Sequence, residues 1–145
     1  MKEKVPIWER GESNVETLEG SKRWLVIDPC YLTGLDYPRY VTYITENGGI
    51  VFETAFGDGL YPVLRTSPNE VVVNTSDEEI EGTCLGEVAV DSGLIAVVPL
   101  TEKIERQLKR RSPKIRNVPY AVFGTKTERV DVEYDGAGDL YISHT

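Results

Sequence analysis

CLGEVAVDSGLIAVVPL, residues 84–100, is the stretch whose reading decides the fold. Its Val, Ile, Leu and Ala content, bounded by turn residues, reads as strand buried on both faces. Asp91-Ser92-Gly93 interrupts it. Glycine accepts a positive φ without steric cost, so a reversal of the chain at Ser92-Gly93 is the simplest expectation. One long strand kinked by a bulge at Gly93 is the alternative. In either case Asp91 stands where a core strand meets a bend, and Asp28 and Asp58 occupy comparable places.

Upstream, Arg23 to Ile27 forms a short apolar strand that Asp28-Pro29 ends, because proline donates nothing to a ladder and holds its predecessor extended. YLTGLDYPRY, residues 31–40, reads as a loop. Tyr40 to Thr45 and Ile50 to Ala55 flank Asn47-Gly48, the strongest short-range hairpin signal, so both runs are expected as strands. Leu60 to Arg65 follows as a strand that Pro62 relegates to an edge or a bulge. Ser67-Pro68-Asn69 turns into Val71 to Val73, and NTSDEEIEGT, residues 74–83, reads as an acidic, solvated loop.

Downstream, one helix is expected from about Thr101 to Arg111. Thr101 is its N-cap, Ile104 and Leu108 form its stripe, Glu102–Arg106 and Glu105–Lys109 are its pairs, and Pro113 is its stop. Residues 119–123 read as strand. Residues 129–135 alternate, with Val130, Val132 and Tyr134 inward, as in a sheet with one wet face. Gly136-Ala137-Gly138 turns the chain into a last strand, Leu140 to Ile142. About nine or ten short strands against one helix argue for a mainly β (or α+β) domain, an antiparallel sandwich or partly open barrel. Residues 1–22 form an arm docking through Ile7 and Trp8, or a frayed segment, and residues 23–145 form the single domain.

The 145 residues suffice for a core without staples. A formal net charge of −8 argues against general affinity for nucleic acid or anionic membrane. MKEKVPIWERGES lacks the apolar centre of a signal peptide, so a cytoplasmic protein is expected. In that compartment Cys30 and Cys84 are expected as two buried free thiols, a disulfide being the alternative if they lie close together.

Three sets of residues invite a chemical reading. Asp28, Asp58 and Asp91, from separate turns, would suit a calcium or magnesium ion if they converged, and such an ion could activate water for hydrolysis; aspartates in turns also bond their own backbone. Lys109, Arg110, Arg111, Lys114 and Arg116 would suit a phosphate or nucleotide, or else complement a helix C-terminus. Tyr31, Tyr37 and Tyr61, with Tyr40 and Tyr43, would suit a pocket or an interface. Ser92 lacks the glycines of a nucleophile elbow, Cys30 has no evident base, and His144, the only histidine, is penultimate, where chains fray.

VIDPCYL (residues 26–32), GDGLYPV (57–63) and VAVDSGLIAVVPL (88–100) together resemble a family of small β-rich prokaryotic proteins of unknown function that carries DPxY, GDGxYxV and DSG segments in that order. The resemblance covers roughly residues 24–100 and implies an all-β or α+β fold. It implies no activity, but supports reading Asp28, Asp58 and Asp91 together. The expectation is therefore a binding or interaction protein engaging another protein or a small ligand, with a homodimer edge open to it. The alternatives are a metal-dependent hydrolase on the aspartates and a phosphate binder on the basic cluster.

Overall fold

The computed structural model describes residues 7–145, so residues 1–6 of the expected arm lie outside it. In chain order the elements are β1 (Ile7–Trp8), β2 (Asn14–Glu19), β3 (Arg23–Ile27), α1 (Pro29–Thr33), α2 (Arg39–Glu46), β4 (Ile50–Glu53), β5 (Gly59–Ser67), β6 (Glu70–Asn74), β7 (Thr83–Val90), β8 (Leu94–Pro99), α3 (Glu102–Ile115), β9 (Ala121–Gly124), β10 (Arg129–Tyr134) and β11 (Asp139–Ser143). They build a five-stranded sheet, β1-β4-β8-β3-β9, and a six-stranded sheet, β2-β10-β11-β6-β5-β7. Pairing is antiparallel except between β1 and β4. The two sheets do not close into a barrel.

Hydrophobic pattern explains the layering. β3 and β8 are apolar nearly throughout because their sheet is covered on both faces. One face, through Trp24, Val26, Phe52, Ile95 and Val97, meets Val63, Val71, Val132, Tyr134 and Ile142 of the six-stranded sheet. The other, through Leu25, Ile27, Val51, Ala96 and Val98, meets Leu32, Val41, Ile44, Ile104 and Ile115 of the helices. The six-stranded sheet keeps one wet face, so β10 alternates exposed and buried residues along its length. Trp8 and Phe52 pack on the Tyr134 ring, with centroids 6.4 and 5.4 Å away.

Several expectations are corrected. Asp91-Ser92-Gly93 is neither a hairpin turn nor a bulge: β7 pairs with β5 and β8 with β3 and β4, so the turn carries the chain from one sheet to the other. Of the two strands in residues 84–100, β8 alone is buried on both faces; Cys84 and Glu87 of β7 are exposed. Residues 40–45 are not a strand but lie in α2, and residues 29–33 form α1, which runs from the expected strand-ending Pro29 into the start of the expected loop, so the described residues hold three helices. Tyr40, Val41 and Ile44 make a helical stripe, and the Tyr37–Pro38 bond preceding them is cis. Asn47-Gly48 ends this helix in a Schellman arrangement: Gly48 (φ 83°) donates to the Thr45 carbonyl and Gly49 to that of Ile44. Pro113 does not stop α3, because buried Ile115 holds the last turn against the core. Glu102 pairs with Arg106 as expected, whereas Glu105 reaches Arg23. Pro62 lies in an interior strand, opposite Glu87 of β7 but past the β6 ladder, and a register shift follows at Val63–Leu64.

Candidate functional site

Asp28 leaves β3 just where the β7–β8 crossing passes, and it is wholly buried. Its Oδ1 accepts from the Cys30 amide, capping α1, and from Ser92 Oγ, at 2.9 and 2.8 Å. Its Oδ2 accepts from the amides of Asp91 and Ser92 at 2.7 and 2.9 Å. A buried carboxylate is tolerable only when such donors replace its water, and here four do so. Asp28 therefore clasps the inter-sheet turn to α1.

The Gly57-Asp58-Gly59 turn joins the same place. Thr54 donates to the Gly93 carbonyl through its amide, at 3.1 Å, and to the Gly57 carbonyl through its hydroxyl, at 2.7 Å. The Tyr61 hydroxyl donates to the Gly57 carbonyl at 2.9 Å. The three segments carrying the aspartates thus meet, but the carboxylates do different work: Asp28 is buried and saturated, while Asp58 and Asp91 are exposed. Among the described residues no group of three metal-ligating side chains is assembled.

A second clasp of the same design stands in the six-stranded sheet. Buried Asp139 accepts at Oδ1 from the Thr75 and Ser76 amides and from Asn74 Nδ2, and at Oδ2 from Ser76 Oγ at 2.7 Å. Thr75 Oγ1 in turn donates to the Gly138 carbonyl and accepts from the Ala55 amide. The loop after β4 is therefore fixed at Thr54 by one clasp's turn and at Ala55 by the other's. Sequence reading missed Asp139; the signal was there in Asn74-Thr75-Ser76, a short polar step after a valine strand, as Asp91-Ser92 is.

Between these turns opens a cleft of about 640 Å³, lined among others by Glu9, Arg10, Tyr37, Tyr40, Glu53 and Ser92. Arg10 Nη1 donates to the Ala55 carbonyl at 2.7 Å. Tyr37, 61% exposed, stands at the mouth, its ring edge-on to Tyr40 at 5.9 Å. Phe56, between the lining residues Ala55 and Gly57, is 63% exposed. Burial raises the Tyr40 phenol, with Ser92 opposing. Burial also raises the Tyr31 phenol, followed by the charge of Asp91 and, further down, those of Asp28 and Asp58. Tyr61 is buried beneath the turn.

The other candidates have structural occupations. Burial and the adjoining Asp28 push the Cys30 thiol far above the ordinary cysteine value, which removes it as a nucleophile. Cys84 is free and exposed rather than buried. Ser92 Oγ is committed to Asp28, and His144 lies elsewhere: it is not frayed but half-buried, stacked on Phe123 at 6.4 Å and 3.0 Å from Arg65 Nη1. Arg111 Nε donates to the Tyr31 carbonyl at 2.8 Å and Gln107 Nε2 to that of Leu32 at 3.0 Å, closing the C-terminal end of α1. Lys109, Arg110, Lys114 and Arg116 are exposed along and just past α3. No helix among the described residues is long and apolar enough to cross a membrane. No protein-family model matches the chain, and no curated protein or solved structure gives a significant match.

Proposed function

We propose that this chain is a binding protein and that the cleft where the three turns meet is its binding site. The observation that carries the reading is the saturation of Asp28. Its four accepted hydrogen bonds all come from the chain itself, and they consume the Ser92 hydroxyl as well. The carboxylate most suggestive of catalysis is thus buried outside the cleft lining and holds the Ser92 hydroxyl, while the groups that do line the cleft include the Tyr37 and Tyr40 rings and the Glu9 and Glu53 carboxylates, which suit recognition. We propose further that the chain belongs with the β-rich family whose DPxY, GDGxYxV and DSG segments it shares, since those segments form this one place.

The test is a thermal melt of the chelated protein against a small-molecule fragment set and against excess calcium or magnesium, with amide shifts to locate any hit. A hit moving the amides of Gly57 and Gly93 is the expected result. A metal-selective rise in the midpoint, lost in Asp91→Asn, would instead favour the hydrolase reading. A nucleotide-induced rise lost in Lys109→Ala with Arg110→Ala would move the site to α3.

A further inference from the structure

Resting on the cleft reading, we propose that the occupant is a basic segment of a partner protein, carrying an apolar or aromatic side chain beside its cations. Two large aromatic side chains stand exposed at this place: Tyr37 lines the cleft, and Phe56 sits in the chain between the lining residues Ala55 and Gly57. Phe56 is not on a slack loop: Thr54, Ala55 and Gly57 on either side of it are each hydrogen-bonded to fixed structure. An aromatic side chain on a fixed stretch of backbone has less conformational freedom to lose on being covered than one on a slack loop, which favours it as an interface anchor.

Charge selects the class. Glu9 and Glu53 line the cleft. Asp58, two residues past Phe56, and Asp91, at the DSG turn, are both exposed. The lining cation, Arg10, donates to the Ala55 carbonyl and offsets one of these charges, leaving the lining and its flanking turns net negative. Such a rim repels nucleic acid and acidic segments and attracts Lys or Arg, whose cations also gain from lying over the Tyr37 ring. A bare metal ion would leave the two rings uncovered. A second copy would bring its own charge of −8 to a negative rim.

The probes are three fluorescein-labelled peptides with the same leucine and tryptophan residues, interspersed with arginine, glutamine or glutamate. The arginine peptide is expected to bind, to move the Gly57 and Gly93 amides, and to weaken roughly tenfold in Phe56→Ser and in Asp58→Lys. Its affinity should fall as salt rises. Both substitutions fall on exposed residues, and a thermal melt verifies their folding. Equal binding of all three peptides at the cleft would overturn the basic class while leaving the cleft reading intact. If neither the peptides nor the fragment set moved the cleft amides, both would fall. Self-association that disappears in Phe56→Ser would make a second copy the occupant and overturn the proposal.

Discussion

Asp28 and Asp139 perform one task in the two sheets, yet their oxygens are loaded differently, and that difference can be measured. Each oxygen of Asp28 accepts at least one backbone N–H, so an asparagine there directs its NH₂ at an amide donor in either orientation. Asp28→Asn should cost about 3 kcal/mol. At Asp139 the backbone donors share Oδ1, and Oδ2 meets only Ser76 Oγ, a hydroxyl that can turn and accept. Asp139→Asn should cost about 1 kcal/mol, and urea unfolding of the two variants gives the ranking. Equal losses would mean that charge, not donor geometry, governs the clasps. The thiols allow a second check. Cys84 is exposed, whereas burial and Asp28 hold the Cys30 thiol protonated. A disulfide-exchange reagent at mildly alkaline pH should therefore label Cys84 promptly and reach half-buried Cys30 only in denaturant, with Cys84→Ser showing no fast phase; fast labelling of Cys30 would contradict its being held as the thiol. Asp28 and Asp91 were legible as strand-end residues because a proline and a glycine mark those ends. Their joining was not legible, because the turn that Asp28 holds lies 63 and 64 residues along the chain. Asp139 follows a glycine turn that was read as one, but its role was not legible, because the Thr75 and Ser76 amides that it holds lie 64 and 63 residues away along the chain.

At the scale of elements, α2 is where local chemistry misled. Tyr40 to Thr45 has strand propensity and Asn-Gly is a hairpin signal, but the same residues place Tyr40, Val41 and Ile44 on one helical face, and Asn-Gly-Gly serves equally to end a helix. The five-stranded sheet needed cover on its outer face, and that tertiary demand settled the matter. The helix end also shows where glycine is indispensable. A Cβ at Gly49 would sit 2.6 Å from the Val97 carbonyl oxygen and 2.8 Å from Ile44 Cγ2, with no room for either to yield. Gly49→Ala should cost about 2 kcal/mol or more. Gly48→Ala meets only an ordinary contact at 3.4 Å and should cost about 1 kcal/mol, the strain of its φ of 83°. The midpoints of urea unfolding order the two, and a milder Gly49 variant would mean that α2 shifts away from β8. The Ser67-Pro68-Asn69 turn and the alternation of β10 were read from sequence alone because both are local: the turn residues and the period-two pattern name the structure without help from distant chain.

In the whole molecule, the unequal covering of the two sheets accounts for both hydrophobic patterns, and His144 is one of the groups joining them. Its ring stacks on Phe123 of β9 in one sheet, and its Nε2 accepts from Arg65 of β5 in the other. Arg65 also reaches the β9 carbonyl of Gly124 at 3.4 Å. Burial, opposed by a backbone hydrogen bond at Thr145 and aided by Arg65 and Lys126 nearby, lowers His144 below its ordinary value of 6.5, so the folded protein disfavours the imidazolium. Above that pH the imidazole is neutral in folded and unfolded chains alike, and its contribution to stability is intact. As pH falls from 6.5 toward the folded value, the unfolded chain takes up a proton that the folded one resists, and the contribution is lost. A protonated ring would also stand against the Arg65 guanidinium. The melting temperature should therefore drop between about pH 7.5 and about pH 5.5, ahead of the carboxylates. His144→Gln, which keeps an acceptor for Arg65 but cannot titrate, should melt with a visibly smaller drop over the same interval. If the two proteins lost the same number of degrees, the acid sensitivity would lie elsewhere and His144 would be a tie between the sheets whose strength does not depend on its proton.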